Sequence, residues 1–399
     1  MKVLVINSGS SSLKCTLFRM PEREALAHCV VERIGEDEPA ISVEANGATW
    51  ARPCTASNHE QALDAALGAL LESGGDALRS LEEIGAVGHR VVHGGERMSG
   101  SAVVTQEVEA VIRDSSVLAP LHNPPNLVGI RAASHTLPAA LQVAVFDTAF
   151  HRSMPPAAYL YGLPYELYEQ RRIRKYGFHG TSHEYVAERA AELLGVPFDR
   201  CNLITLHLGN GCSACAVRDG RSVDTSMGMT PLEGLVMGTR CGDIDPALFF
   251  LLGNELEIAP GDIYDLLNRR SGLQGLSGKS NDMREIMADA ERGDPRARAT
   301  LEVFCYRVRK YIGAYLAVLG AAHAVVFTAG IGENCPPVRR MACEGLESLG
   351  IRLDEDKNEA AVGREALISE DGSPIAVLVV PTDEELKIAV DTYRLSRAP

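Results

Sequence analysis

Residues 3–18 read VLVINSGSSSLKCTLF, and residues 202–217 read NLITLHLGNGCSACAV. Each stretch has an apolar run, a polar turn with glycine and a second β-prone run, which predicts a strand, a turn and a strand. Glycine and serine between strands usually form only a hairpin, but the matched second copy indicates an internal duplication. Turns that expose backbone N–H groups form concave anion sites. Two opposed turns could hold a polyphosphate, so we expect an active-site cleft between two related domains.

The sequence around the first stretch alternates strands with helices. Strands are predicted at 3–6, 13–18 and 86–92, with a hairpin at 46–47 and a helix at 60–72. After residue 199 the strand pattern starts again, and Asp219-Gly220 predicts a second hairpin turn. The fold class is therefore α/β. A chain of 399 residues also exceeds the usual size of one hydrophobic core, so we expect two domains.

The composition narrows the classes of partner. Hydrophobic residues make up 46% of the chain and charged residues 23%, which is ordinary for globular proteins and excludes a disordered chain. The net charge of -14 argues against nucleic acid and acidic membranes as partners, so an anionic substrate needs locally placed arginines. The N-terminus has no signal-peptide pattern, so we expect a cytoplasmic protein. Residues 311–332 carry no charged side chain, but their glycines predict a helix that ends near Gly320 and a buried strand at 324–327 rather than a membrane span.

Two further motifs bear on cofactors. Among ten cysteines, only Cys212 and Cys215 have ligand-like spacing, and in a strand their side chains point to opposite faces, which favours packed thiols. Residues 328–334, TAGIGEN, follow an apolar strand and open a segment that looks helical. They match neither the GxGxxG dinucleotide fingerprint nor the Walker P-loop, so an ATP site here must be of another kind.

Ten stretches along nearly the whole chain resemble the acetate kinase family, within the superfamily of acetate and sugar kinases, heat-shock ATPases and actin. The stretches are residues 7–14, 88–95, 118–124, 146–151, 176–183, 207–211, 225–235, 238–243, 330–334 and 382–385. The resemblance implies a two-domain duplicated actin-like ATPase fold with ribonuclease H-like βββαβαβα cores and an interdomain cleft. It implies an N-terminal domain at 1–149, joined by a C-terminal helix at 385–399, and a nucleotide-binding domain at 150–384. It also implies a homodimer.

The resemblance further implies reversible transfer of a phosphoryl group from ATP to acetate, which gives acetyl phosphate and ADP. The cofactor would be Mg²⁺, with Mn²⁺ as an alternative, held by Asn7 and Glu384. Catalytic roles would fall to Asp147, His179 and Arg240. Substrate-binding residues would be Arg90, Val92, Leu121, Phe178 and Pro231. Nucleotide-binding residues would be Lys14, His207, Leu208, Gly209, Asn210, Gly211, Asp282, Met283, Arg284, Gly330, Ile331, Gly332, Glu333 and Asn334.

Elementary chemistry explains why arginine residues suit phosphoryl transfer to a carboxylate, and it bears on the role of Asp147. A carboxylate that attacks a phosphate brings two anions together, and guanidinium groups lower that barrier because they stay charged and form paired hydrogen bonds. A simple carboxylic acid is already ionised at neutral pH. We therefore hypothesise that Asp147 orients an arginine or a metal-bound water rather than acting as a base.

Alternatives remain open from the residues alone. Asp282 and Arg284 could form an ordinary capping turn, and Glu384 an ordinary first-turn helix acid. The substrate could be propionate or another short acyl group, because one methylene changes binding by only about 1–3 kcal/mol. A rival of another class is an actin-like or chaperone-like ATPase without acyl kinase activity.

Overall fold

The chain folds into two compact units, each built around one mixed β-sheet. The structure, a computed structural model, describes residues 1–73 and 77–398. Unit 1 comprises Met1–Arg152 and Asp383–Pro399, and unit 2 comprises Ser153–Thr382. Glu384, which the sequence analysis assigned to the second domain, thus belongs to unit 1. Pro399, at the end of the expected C-terminal helix, lies outside the described residues.

Unit 1 has the strand order β5-β4-β3-β2-β1-β6-β8-β7, in which β1, β6 and β8 are parallel and the other pairs antiparallel. Its strands and helices are β1 (Lys2–Ser8), β2 (Ser12–Arg19), β3 (Glu24–Glu32), β4 (Ala40–Ala45), β5 (Ala48–Pro53), α1 (His59–Glu72), β6 (Ile84–Val91), β7 (Ala102–Val103), α2 (Gln106–Asp114), α3 (Asn123–Thr136), β8 (Leu141–Phe146) and, following unit 2 in the chain, α15 (Glu384–Ser396).

Unit 2 has the strand order β11-β10-β9-β12-β14-β13, in which β9, β12 and β14 are parallel. Its strands are β9 (Leu203–Leu208), β10 (Cys212–Arg218), β11 (Arg221–Thr225), β12 (Ala324–Thr328), β13 (Ala366–Leu367) and β14 (Ala376–Val379). Its helices are α4 (Pro156–Tyr159), α5 (Tyr165–Arg171), α6 (Gly180–Leu194), α7 (Leu248–Asn254), α8 (Pro260–Arg269), α9 (Gly272–Ser277), α10 (Met283–Glu291), α11 (Pro295–Leu319), α12 (Ala329–Asn334), α13 (Pro336–Cys343) and α14 (Glu355–Ala360).

The two sheets repeat one topology. The strands β3-β2-β1-β6-β8 of unit 1 correspond in order and direction to β11-β10-β9-β12-β14 of unit 2. Residues 2–10 and 202–210 also share one pattern of buried and half-buried positions, so the duplication extends to which side chains enter the core. This repeated topology is the actin-like ATPase fold, and the fold class expected from the sequence is confirmed.

Period-two alternation in β1 explains how the unit 1 sheet buries both faces. Leu4 and Ile6 pack in the core that also holds Leu63 of α1, whereas Val3 and Val5 pack with Ile388 of α15. Successive side chains of a strand point to opposite faces, so one apolar run serves two helical layers. The sheet is therefore fixed from both sides, and its strand ends are held at defined positions.

The apolar stretch at 311–332 divides as the sequence analysis predicts. The helix α11 ends at Leu319, Gly320 follows with φ +75°, and β12 is buried at every residue. No helix in the described ranges combines the length and apolar character needed to cross a bilayer.

Candidate active site

Three polar side chains lie at the carboxyl ends of adjacent parallel strands in unit 1. Asn7 lies next to the last residue of β1, Arg90 lies near the end of β6, and Asp147 follows β8. The pairings Ile6 with His89 and Arg90 with Val145 put these three positions side by side at one sheet edge. The carboxyl ends of parallel strands are where α/β folds bind ligands.

Arg90 and Asp147 form an ion pair in which three hydrogen bonds join the two side chains. Arg90 Nε donates to Asp147 Oδ2 at 3.1 Å, and Nη2 donates to the same oxygen at 2.7 Å. The Asp147 carboxylate raises the pKa of Arg90 further above its usual range. These bonds use the Nε–Nη2 edge of the guanidinium, so its other edge, Nη1–Nη2, keeps the geometry for gripping a second carboxylate. Asp147 thus holds one edge of the Arg90 guanidinium.

Glu384 is the first residue of α15, and Asp383 caps the helix by accepting a hydrogen bond from Leu386 N at 2.8 Å. Burial raises the pKa of Glu384, and the Asp147 charge adds to the increase, while Arg90 and Lys14 oppose it. An electrostatic interaction therefore links Glu384 to the Arg90–Asp147 pair. A cation bound beside this carboxylate would favour its ionised form.

The remaining site residues expected in unit 1 differ in exposure. Lys14 lies on β2 directly opposite Asn7 of β1 and is exposed. Val92 is half-buried, and its backbone N–H donates to Asn126 Oδ1 at 3.1 Å. Leu121 is 55% exposed, so in unit 1 it offers an apolar surface rather than a core contact.

In unit 2, one cavity of about 670 Å³ is lined by residues from the three segments expected to bind nucleotide. Gly209 and Asn210 come from the β9–β10 turn, and Asn281 donates to Asn210 Oδ1 at 3.0 Å. The other lining residues are Asp282, Met283, Arg284, Met287, Gly330, Ile331, Asn334, Cys335, Pro336 and Pro337. This volume suits a drug-sized or nucleotide-sized ligand. The expected nucleotide residues His207, Leu208, Gly211, Gly332 and Glu333 do not line it.

Two of the predicted catalytic side chains converge on the glycine turn between β9 and β10. A methyl group built on Gly211 would lie 2.9 Å from Arg240 Nη2 and 3.3 Å from His179 Nε2. Arg240 is half-buried and donates from Nη1 to Pro231 O at 2.6 Å, and burial lowers the pKa of its guanidinium. Within residues 1–73 and 77–398, no carboxylate pairs with Arg240. An unpaired, largely desolvated cation is a typical feature of an anion-binding site.

The loop that carries Arg240 is held by polar contacts on both sides of it. Asp243 accepts hydrogen bonds from Gly234 N and Tyr311 Oη, both at 2.8 Å. Glu233 accepts from Tyr161 Oη at 2.6 Å and pairs with Lys175 at 2.9 Å. Because these partners come from distant segments, Arg240 lies on a restrained loop rather than on a free surface chain.

His179 precedes α6 in the left-handed backbone region, with φ 57° and ψ 24°. This conformation is uncommon for a residue other than glycine and clusters at functional sites. Its ring stacks on His207 at a centroid distance of 4.1 Å, and Nδ1 lies 2.8 Å from Ser213 Oγ. The predicted nucleotide residue His207 therefore contacts His179, and its own Nδ1 lies 2.8 Å from Ser182 Oγ.

Glu333 and Arg339 fix the segment that begins with α12. Glu333 Oε1 accepts hydrogen bonds from Ala329 N at 2.6 Å and Thr382 N at 3.0 Å. Arg339 is fully buried and donates to Gly332 O and Glu333 O at 2.9 and 3.1 Å, and burial lowers its pKa to about 10. Both side chains thus shape the cavity wall through the backbone.

The structure also shows the local roles of residues for which the sequence left two interpretations open. Asp282 caps α10 through a bond from Arg284 N at 2.9 Å, so the capping interpretation is confirmed, and both residues also line the cavity. Phe178 is buried, 3% exposed. The sequence analysis missed Asn281, whose only signal was its position next to Asp282. It also missed Ser213 and Arg339, for which no local signal existed.

The structure also bears on metal and thiol chemistry. Among residues 1–73 and 77–398, no three histidine, cysteine or acidic side chains group together as a metal site would require. None of the ten cysteines forms a disulfide, and burial raises the pKa of Cys212 and Cys215 to about 12. These two thiols are packed core residues, as the strand geometry predicts.

The fold and these clusters define the class of protein as a phosphotransferase of the actin-like ATPase fold. The acetokinase family matches the chain over residues 2–390. The chain belongs to this acetate kinase family, and it is a kinase rather than an actin-like or chaperone-like ATPase without that activity.

Individual relatives agree along the full length. The chain is 52% identical over 398 residues to an acetate kinase of Alkaliphilus metalliredigens, covering 99% of this chain and 100% of the relative. The crystal structure of Porphyromonas gingivalis acetate kinase is similar with a TM-score of 0.95 and 43% identity, covering 99% of each chain. A propionate kinase structure from Francisella tularensis has a TM-score of 0.92 and 40% identity, covering 98% of this chain and 99% of that one.

Proposed function

We propose that this chain catalyses reversible, Mg²⁺-dependent phosphoryl transfer from ATP to acetate, which gives acetyl phosphate and ADP. The observation that carries the proposal is that Arg240 has no carboxylate partner in the described ranges. Its Nη2 points with His179 Nε2 at Gly211, in a turn that also lines the unit 2 cavity. Positioned donors of this kind stabilise charge that develops on a transferring phosphoryl group. The relatives named acetate kinase support acetate as the acceptor.

The unit 2 residues would serve the nucleotide. The cavity wall offers backbone groups of Gly209 and Gly330 and the amide of Asn210, with Ile331 as an apolar surface. The expected residues outside the lining, such as Gly332 and Glu333, would act by holding the wall in place. Lys14, on unit 1, would supply a mobile positive charge to the phosphates because it is exposed.

The unit 1 residues would serve the acceptor and the metal. Arg90, oriented by Asp147, would grip the acetate carboxylate through its Nη1–Nη2 edge. The apolar side chains of Val92 and Leu121 would contact the methyl group. Phe178 and Pro231, in unit 2, stay predicted substrate-binding residues. A carboxylate needs no deprotonation before attack, so Asp147 has no base role to perform.

The donor set also fits Mg²⁺. Asn7 supplies an amide oxygen and Glu384 a carboxylate, and Mg²⁺ prefers few hard protein oxygens while it keeps several waters. Such an ion, when bound, would neutralise charge on the phosphate oxygens. Mn²⁺ would fit the same ligands.

A hydroxamate assay with ATP, Mg²⁺ and acetate tests the proposal directly. We expect an acyl product from the unaltered chain and a loss of about 10²–10³-fold in kcat for Arg240→Ala, because one positioned donor is worth that much. The control is Arg221→Ala, which removes an exposed arginine of β11 and should leave turnover unchanged. Absence of acyl phosphate from the unaltered chain with every short carboxylate would contradict the proposal.

A second candidate substrate is propionate, which the 40% identity to a propionate kinase favours. Turnover on acetate, propionate and butyrate compared side by side decides between the two. The expected order is acetate first, because the curated relatives named acetate kinase are 49–52% identical.

We also propose that the chain forms a cytoplasmic homodimer. The segment 244–256 of unit 2 exposes a run of large apolar side chains, and the exposed fraction reaches 69% for Phe250 and 60% for Leu256. Phe249 is 42% exposed, and its ring meets that of Phe250 edge to face. Contiguous apolar surface of this kind is typical of protein interfaces.

A further inference from the structure

One hydroxyl group links two histidine rings in unit 2. Ser213 Oγ lies 2.8 Å from His179 Nδ1 and 2.8 Å from His183 Nε2. His183 Nδ1 lies 2.7 Å from Thr205 Oγ1. Ser213, His183 and Thr205 are completely buried, so bulk water does not replace these bonds. The four side chains form a hydrogen-bonded chain that includes His179.

The hydrogen count limits this chain to two arrangements. A hydroxyl carries one hydrogen, so Ser213 can donate to only one of the two imidazole nitrogens. It could accept from both, but its buried hydrogen would then have no acceptor among the contacts of Ser213 in the described residues, which is unfavourable. In the first arrangement, Thr205 donates to His183, His183 donates to Ser213, and Ser213 donates to His179 Nδ1. In the second, every bond is reversed and His179 Nδ1 carries the hydrogen.

The surroundings of His179 favour the first arrangement. Its Nε2 faces the Gly211 turn together with Arg240 Nη2, and a neighbouring guanidinium disfavours a doubly protonated, cationic imidazole. A neutral ring can offer a hydrogen at Nε2 only if Nδ1 accepts one. When His183 Nε2–H donates to the Ser213 oxygen, the Ser213 hydroxyl can donate its own hydrogen to His179 Nδ1. The stack on His207 restricts rotation of the His179 ring out of this alignment.

We propose that Ser213, fixed by His183 and Thr205, is a positioning residue that keeps His179 neutral with its hydrogen on Nε2. His179 would then donate to an oxygen of the transferring phosphoryl group without adding a second formal charge beside Arg240. The inference rests on the proposed function for its catalytic consequence, but the tautomer of His179 is a property of the protein without substrate. Neutral histidines that act as hydrogen-bond donors are a known way of stabilising developing negative charge.

The tautomer is measured by long-range ¹H–¹⁵N correlation NMR on the full chain labelled with ¹⁵N-histidine. A spectrum of His179→Gln identifies the His179 signals by their loss. We expect one protonated nitrogen, Nε2, in the unaltered chain and a mixture or the Nδ1–H form in Ser213→Ala. Hydrogen on Nδ1, or on both nitrogens, in the unaltered chain would overturn the proposal, and this result needs no variant of Ser213 to fold.

Kinetics give an independent reading. Ser213→Ala should lower kcat about tenfold or more, the usual contribution of a correctly oriented proton-bearing group, while KM for ATP and acetate changes by less than about twofold. The matched control is Ser222→Ala, which removes another fully buried hydroxyl of unit 2. An unchanged kcat in Ser213→Ala would overturn the inference and leave the proposed function intact, whereas an inactive unaltered chain would contradict the proposed function alone.

Discussion

At the scale of single residues, the geometry of the site depends on how much space each side chain occupies and on which of its edges is already bonded. Gly211 leaves space in which Arg240 and His179 approach the same backbone turn. Asp147 holds Arg90 by one guanidinium edge and leaves the other edge for an anion. Substitutions that change only one or a few atoms can test these positions, because such substitutions alter the geometry of the site and leave the type of residue nearly the same.

Gly211→Ala should place a methyl group against Arg240 Nη2 and displace the guanidinium. A misplacement of about 1 Å can reduce turnover about 10²-fold, so we expect a decrease of that order in kcat with the fold retained. Initial rates in the hydroxamate assay check this, with circular dichroism as the test of folding. The control Gly313→Ala adds the same methyl group inside α11, where nothing lies within 4 Å, and should keep full activity.

Asp147→Asn should release Arg90 from its charged partner. We expect kcat to fall at least about tenfold, because Arg90 loses the charged partner that orients it. Turnover measured against Mg²⁺ concentration checks this. Asp114→Asn, which breaks the exposed Arg97 pair, is the matched control. Near-normal turnover and Mg²⁺ dependence in Asp147→Asn would show that Asp147 does not orient these groups.

At the scale of elements, α15 is fixed to the sheet of unit 1 by polar contacts as well as by apolar ones. Glu385 of α15 accepts a hydrogen bond from Thr16 of β2 at 2.5 Å, and Thr16 Oγ1 lies 2.7 Å from His28 Nδ1 of β3. The contact with Glu385 raises the pKa of His28 above 6.5. The hydrogen bond of Glu385 therefore attaches α15 to the sheet at the residue that follows Glu384.

The His28 contact predicts a pH-dependent stability. Because the folded-state pKa of His28 lies above its unfolded value, the contact stabilises fully below the unfolded pKa, and this contribution disappears as the pH rises through the folded pKa. The Tm difference between the unaltered chain and His28→Gln should therefore be larger at about pH 6 than at about pH 8.5. Thermal unfolding across this range checks it, with the exposed His135→Gln as control. A Tm difference that grows with pH would contradict the assignment.

At the scale of the whole molecule, the exposed apolar segment 244–256 is the feature that the fold of unit 2 leaves uncovered. Phe250→Glu puts a charge at the most exposed of the large apolar side chains in this segment. It should convert the proposed dimer to a monomer, because burying an unpaired carboxylate in an apolar interface is unfavourable. Sedimentation velocity measures the change. Leu349→Glu alters another half-exposed leucine of unit 2 and should leave the assembly as it is. A monomeric unaltered chain would rule out the dimer.

The sequence by itself determined the class of fold and the positions of several elements. The repeated strand–turn–strand, the helix at 59–72 and the break after Leu319 follow from local periodicity and turn residues, which act over a few neighbours. The cap at Asp282 is equally local. The resemblance also selected segments 207–211, 282–284 and 330–334, and some residues of each segment line one cavity.

Only the tertiary structure decided which side chains meet. Ser213 lies between His179 and His183, and Arg240 reaches the Gly211 turn. Glu384 interacts with Arg90 and Asp147 although all of unit 2 lies between them in the sequence. These contacts depend on strand register, on the left-handed backbone at His179 and on packing of α15 against its sheet. Local propensity does not encode such long-range contacts. The contacts contribute stabilising free energy only when distant segments of the chain are already packed together.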